Sequence, residues 1–310
     1  MSTPLTNVRN AFHGIWPAML TPLDASLNID HAKMAAHAKA LIKSGCGGVT
    51  IFGTTGEGPS FSLRERKEAL EKLIEKGVPA ERIIVSSSCA ALVETTELSQ
   101  HAVDQGVHGC LMLPPFFFKG ISDEGVVNAY AQVIDGVNRS NWRLYLYHIP
   151  QVIAVSLSHA VITELVRRYP SIIVGIKDSG CDQAHSVSLA KAFMPPLTVY
   201  VGFEPDLTTM GPLGSTGAIS GLANFMPRVV HRMVLASNAP NTAHDAKRIQ
   251  DILELLKPHS LMPALKGVMA ALSHDDTWLR VRAPLVAMTP GVYAKFAEEV
   301  SAFKIDPSHE

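Results

Sequence analysis

Eight short β-branched runs, most of them followed by a stretch of helical spacing, recur between Ile15 and Ser220 of this 310-residue chain, and that rhythm constrains its fold most. The runs are Ile15 to Thr21, Gly48 to Phe52, Ile83 to Ser87, Gly109 to Leu113, Leu144 to Tyr147, Ile172 to Lys177, Val199 to Gly202 and Gly217 to Ser220. Between them, Asp30 to Lys43, Ser62 to Lys76, Leu92 to Gln105, Asp123 to Val137, Ser156 to Tyr169 and Asp182 to Phe193 read as helices. Asp30, Ser62, Asp123 and Ser156 are good N-cap types, and Gly45, Gly77 and Gly106 suit helix ends. Alternation of this kind predicts a (β/α)8 TIM barrel, in which functional residues gather where the strands end, at the C-terminal face. The G-x-G-x-x-G fingerprint of an open doubly wound sheet is absent.

After about Asn224 the pattern turns to helices only, with Lys247 to Leu256, Met262 to Leu272 and Val292 to Phe303 as candidates. The expected organisation is a catalytic barrel over residues 1–224 and a C-terminal helical region over 225–310, packed on the barrel or used in assembly. A composition that is 47% hydrophobic supplies a core for both. The 27 basic and 28 acidic side chains leave a net charge of -1, so no global field draws in nucleic acid or an anionic membrane. Small anionic partners must then be bound locally. Cys46, Cys89, Cys110 and Cys181 lack C-x-x-C spacing, and buried free thiols are expected. With no signal-like start and no apolar run long enough for a membrane span, the expected compartment is the cytoplasm.

The strand ends carry the chemistry. Lys177 closes an apolar strand in Ser171-Ile-Ile-Val-Gly-Ile-Lys-Asp-Ser-Gly180. An amine desolvated there loses its preference for the charged form and becomes able to attack a carbonyl. Taken alone, the segment fits a solvated surface cation better, the usual state of a lysine just past a strand. The loop Phe52-Gly-Thr-Thr-Gly-Glu-Gly58 offers backbone amides and the hydroxyls of Thr54 and Thr55 to a carboxylate, while Glu57 ties the loop down; a plain glycine turn is the alternative. Tyr147, in Tyr145-Leu-Tyr-His-Ile-Pro150, can point its phenol into the barrel mouth as an acid/base, or simply pack. His148 points the other way along the strand and reads as structural. The histidine pairs His31/His37 and His101/His108 lack the spacing of a two-histidine metal site, so no metal is expected.

Together, Gly53-Thr-Thr-Gly-Glu57, Tyr147-His-Ile-Pro150 and Gly175-Ile-Lys-Asp-Ser179 resemble the dihydrodipicolinate synthase and N-acetylneuraminate lyase family, in order and across the barrel. The resemblance implies a Schiff-base lyase of the class I aldolase type with C-terminal helices, commonly a homotetramer, that binds pyruvate or another 2-oxo acid and needs no cofactor beyond the imine. It implies that Lys177 forms that imine, that Tyr147 shuttles the proton and that Thr54 and Thr55 hold the carboxylate. Ser179, Gly202, Glu204 and Ser220 fall where the sugar-acid lyases of the family contact the rest of the substrate.

Two departures bear on the substrate. The lysine-biosynthetic members carry an arginine after the Tyr-x-x-Pro motif, where this chain has Gln151-Val-Ile153, and a relay tyrosine where this chain has Phe117 in Pro114-Pro-Phe-Phe-Phe-Lys119. Aspartate semialdehyde is therefore not the expected partner, and a 2-keto-3-deoxy sugar acid is preferred. The Phe116 to Phe118 triplet suits either an apolar acceptor pocket or packing against a partner chain. A dehydratase or hydratase-aldolase of the same family, a dihydrodipicolinate synthase-type condensation, a metal-dependent aldolase and a catalytically silent metabolite-binding barrel stay open as alternatives.

Overall fold

A computed structural model describes residues 14–235 and 242–305. It contains eight parallel strands: β1 (Gly14–Pro17), β2 (Val49–Ile51), β3 (Ile83–Ser86), β4 (Gly109–Met112), β5 (Leu144–His148), β6 (Ile173–Asp178), β7 (Thr198–Val201) and β8 (Gly217–Ser220). The sheet runs β1-β8-β7-β6-β5-β4-β3-β2, and a bridge between Ala18 and Thr50, with Met19 N donating to Thr50 O at 2.9 Å, joins its two ends. This is the (β/α)8 barrel that the alternation predicts.

The helices are α1 (His31–Lys43), α2 (Leu63–Glu75), α3 (Leu92–Asp104), α4 (Asp123–Val137), α5 (Pro150–Ile153), α6 (His159–Arg168), α7 (Gln183–Phe193), α8 (Leu207–Met210), α9 (Pro227–Leu235), α10 (Thr242–Leu256), α11 (Leu261–Ser273) and α12 (Pro290–Ala302). The sequence pattern did not announce α5, α8 or α9. The first two are single turns, too short for a periodic signal, and α9 is a nine-residue helix opened by Pro227 that packs on β1.

Caps fix where the helices begin. Asp30 accepts from Lys33 N at 2.9 Å, and Ser62 makes a reciprocal capping box with Glu65, as those residue types led us to expect. Two cap assignments need correction. Ser122, not Asp123, caps α4, which leaves the Asp123 carboxylate in the first turn where the helix dipole favours it. Ser158, not Ser156, caps α6, because the chain stays extended through Val155 and Leu157 to bury both side chains. Leu157 N then donates to His148 Nδ1 at 3.2 Å.

Alternation along the strands separates two environments. Tyr145 shares a strand face with Tyr147, and its ring packs against Tyr200 (centroids 5.7 Å apart), while its hydroxyl meets His108 Nε2 at 3.0 Å. Burial pushes His108 down to about 4, so it is neutral there at physiological pH. This aromatic layer fills the barrel beneath the Tyr147 hydroxyl. The seam between the first and last strands depends on close backbone approach: a Cβ at Gly217 would lie 1.8 Å from Gly14 O. Gly217→Ala must push β1 and β8 apart, and we expect a loss of about 2 kcal/mol in denaturant unfolding, in the range of overpacked cores. An unchanged midpoint would show that the seam tolerates the shift.

Candidate active site

The C-terminal ends of β5 and β6 place an amine against a phenol. Tyr147 and Lys177 are paired directly in the β5–β6 register. Lys177 is buried, with 5% of its surface exposed, and its Nζ donates to Tyr147 Oη at 3.1 Å while lying 4.2 Å from the ring centroid. Thr54 Oγ1, from the loop after β2, is 3.3 Å from the same phenol oxygen. A three-member chain, Thr54–Tyr147–Lys177, thus crosses the mouth from β2 to β6. Thr55 is the half-buried neighbour of Thr54 in that loop.

Alternation sends the next residues outward. His148 and Asp178 are paired in register behind Tyr147 and Lys177. His148 stacks on His185 at 4.3 Å, and burial lowers it to about 4. Asp178 is fully engaged in shaping the loop after β6: Ser186 Oγ donates to Oδ2 at 2.7 Å, Gly180 N to Oδ1 at 2.9 Å, and Gly202 N to its backbone oxygen at 2.6 Å. That loop turns Ser179 toward β7. Ser179 Oγ is buried and makes no hydrogen bond among the described residues, and a Cβ at Gly202 would fall 1.8 Å from it. Gly202 is the residue type that leaves this hydroxyl its space.

Glu204 and Ser220 meet each other. Ser220 Oγ donates to Glu204 Oε1 at 2.5 Å, Leu222 N donates to the same oxygen at 3.2 Å, and Ala223 N donates to Ser220 Oγ at 3.0 Å. Both side chains are buried, so this pair ties the loops after β7 and β8 together. The structure therefore brings Lys177, Tyr147 and Thr54 into contact, sets Ser179 against Gly202, and joins Glu204 to Ser220.

Three contributors were not singled out from the sequence. Asn224 accepts from Leu20 N at 3.0 Å and donates to Ala18 O at 2.8 Å, locking the loop after β8 onto the chain leaving β1. Lys266, from α11, forms a fully buried ion pair with Glu57. Asp206, 7% exposed, lies near Asp178 and Asp182. None sits in a motif, and each is recognisable only once distant segments meet. Among the described residues no three His, Cys, Asp or Glu side chains are grouped to hold a metal ion. No helix of those residues is long and apolar enough to cross a membrane.

A buried primary amine facing a phenol at the C-terminal mouth of a (β/α)8 barrel is the arrangement that an imine-forming carbon–carbon lyase would use. The dihydrodipicolinate synthetase family model matches residues 11–303. An "Uncharacterized DapA-like lyase" of Chloroflexus aurantiacus is 31% identical over 294 residues, 94% of each chain. The "Putative 2-dehydro-3-deoxy-D-gluconate aldolase YagE" of Escherichia coli is 30% identical over 253 residues, 81% of this chain and 82% of that one. The crystal structure of dihydrodipicolinate synthase from Agrobacterium tumefaciens superposes with a TM-score of 0.88 at 32% identity, covering 94% of this chain and 99% of that one. The chain belongs to the dihydrodipicolinate synthase family, and like its members it is a pyruvate-dependent lyase of the Schiff-base, class I aldolase type.

Asp206 offers a test of the electrostatics around this mouth. Burial, reinforced by the like charges of Asp178 and Asp182, pushes it from 3.8 up to about 6. A carboxyl that binds protons more tightly when folded gives up stability as pH rises from about 4 through 6. Asp206→Asn should therefore stabilise the protein by about 1 kcal/mol at pH 7 and hardly at all at pH 4. Denaturant unfolding at both values checks this; equal effects would place the carboxylate in a solvated setting.

Proposed function

We propose that the protein cleaves, or in reverse forms, a 2-keto-3-deoxy sugar acid to pyruvate and an aldehyde, through an imine on Lys177. The observation that carries this reading is the Thr54–Tyr147–Lys177 chain, with links of 3.3 and 3.1 Å. The Lys177 amine attacks the C2 carbonyl, and the carbinolamine loses water to give the iminium. The Tyr147 phenol, within reach of the amine, gives its proton to the departing water, and the phenolate left behind takes the proton from the C4 hydroxyl as the C3–C4 bond breaks. The electron pair of that bond moves into the iminium and leaves an enamine. Protonation at C3 and hydrolysis then release pyruvate and restore the amine. Thr54 and Thr55, with the amides of their loop, hold the carboxylate.

Several features support the hydroxylated substrate. Ser179 keeps a buried hydroxyl with no partner among the described residues, against Gly202, and the Glu204–Ser220 pair adds polar groups after β7 and at the end of β8. Val152, 58% exposed where the lysine-biosynthetic members carry an arginine, has no means of gripping a second carboxylate. The relative YagE is named for a sugar-acid aldolase activity and has been crystallised with pyruvate. Phe117 and Phe118, each 70% exposed beside the mouth, support packing against another copy of the chain, and we propose a cytoplasmic homotetramer.

Borohydride reduction with pyruvate, followed by peptide mass spectrometry, should place the adduct on Lys177. Lys177→Ala should abolish turnover in a folded protein, and Tyr147→Phe should lower kcat by roughly 10²- to 10⁴-fold, the range of a positioned acid/base. Absence of an adduct in folded protein would favour a silent binding barrel. In a substrate panel read by pyruvate release, 2-keto-3-deoxy sugar acids should turn over, and aspartate semialdehyde should condense with pyruvate poorly. Efficient condensation would instead make this a dihydrodipicolinate synthase-type enzyme, the reading favoured by the Agrobacterium neighbour. Turnover of aromatic or unhydroxylated 2-oxo acids alone would exclude the sugar-acid assignment.

A further inference from the structure

The loop after β2 is held from outside the barrel by two cations of the C-terminal segment. Lys266, on α11, pairs with Glu57, and both side chains are fully buried. The Lys266 ammonium also donates to Arg280 O at 2.7 Å. Two residues further on, Arg282 reaches the far end of the same loop. Its Nη1 donates to Ser60 O at 3.1 Å, its Nη2 to Glu65 Oε1 at 2.6 Å and its Nε to Leu27 O at 2.8 Å, with the guanidinium over the Phe61 ring at 4.7 Å. The loop between these anchors contains Thr54 and Thr55.

Three features of this arrangement exceed what simple packing requires. Burial acts against both charges, raising the Glu57 carboxyl and lowering the Lys266 ammonium, and the attraction of each for the other opposes that shift. An apolar pair would fill the same space without that cost. Glu57 also sits in the left-handed backbone region, at φ 56°, where a non-glycine residue persists only if its surroundings hold it. Finally, the loop closes on itself at Glu57: its N–H donates to Thr54 O at 3.1 Å, and Gly58 N donates to Gly53 O at 3.1 Å. The conformation of Glu57 therefore sets the direction of the amides and hydroxyls at Thr54 and Thr55.

We infer that the C-terminal helical region is part of the substrate site: Lys266 through Glu57, with Arg282 through Glu65, are positioning residues that hold the β2 loop in its carboxylate-binding shape. The inference rests on the reading of Thr54 and Thr55 as the carboxylate cradle. Neither cation touches the reacting atoms. Their loss should act on substrate binding more than on the chemical step.

The test is the pyruvate concentration that half-saturates borohydride trapping, together with the maximal trapped fraction, measured on the full chain. Three variants are compared. Thr55→Val probes the cradle itself. The double variant Glu57→Gln/Lys266→Met removes both buried charges at nearly constant volume, so no unpaired ion is left in the core. Arg282→Gln, whose ion pair is partly exposed, decides the matter if the double variant does not fold. In the folded variants half-saturation should rise about tenfold while the maximal trapped fraction is kept, as expected when ground-state binding alone is weakened. A wild-type value in the folded clamp variants, with Thr55→Val raised, overturns the inference and leaves the cradle standing. A wild-type value in Thr55→Val removes the cradle reading and the inference with it.

Discussion

The register of β5 against β6 is the constraint from which the site follows. Parallel pairing puts Tyr147 opposite Lys177 and, one residue on, His148 opposite Asp178. Because successive side chains point to opposite faces, one pair enters the barrel mouth and the other leaves it. A slip of β6 by one residue would turn Asp178 into the mouth in place of Lys177, and the amine would lie among the surrounding helices. The aromatic layer below, with Tyr145 against Tyr200 and His108, fills the interior and so keeps this register the favourable one.

The barrel itself was legible because its signal is redundant. Eight β-branched runs and their intervening helices repeat one pattern, and misplacing a boundary by a residue or two changes nothing in the topology. Boundaries were legible only where a local device sets them. The Ser62–Glu65 capping box lies within four consecutive residues and can be read directly. The start of α6 cannot, because it depends on Leu157 N finding His148 Nδ1, nine positions earlier on a strand. The short helices α5 and α8 fail for a different reason: a single turn has no period to detect.

For the site, sequence reasoning identified the residues that end strands, since strand-end position is fixed by the fold class alone. The family resemblance offered Glu204 and Ser220 together as a polar set for the substrate tail, and in the structure they bind each other at 2.5 Å. Their partnership joins segments sixteen residues apart, and nothing in the intervening sequence marks it. Glu57 was read as the residue that ties its loop down. Its partner, Lys266, lies more than two hundred residues away on a helix that by its sequence is simply apolar, so the tie was legible from one end only.

The polar groups around the mouth divide by what they still have to offer. Asn224, Asp178, Glu204 and Ser220 are hydrogen-bonded within the protein, and they hold the loops after β6, β7 and β8 at fixed distances. Ser179 Oγ is buried with no partner among the described residues, and desolvation makes such a group costly unless a ligand completes it. Lys177 is likewise almost sealed, and among the described residues the Tyr147 phenol accepts one hydrogen bond from a nitrogen that can make up to three. Unmet hydrogen-bonding capacity inside a frame whose other polar groups are satisfied is what preorganisation means physically. The cost of desolvating these groups is met on folding, and a ligand that completed them would recover it.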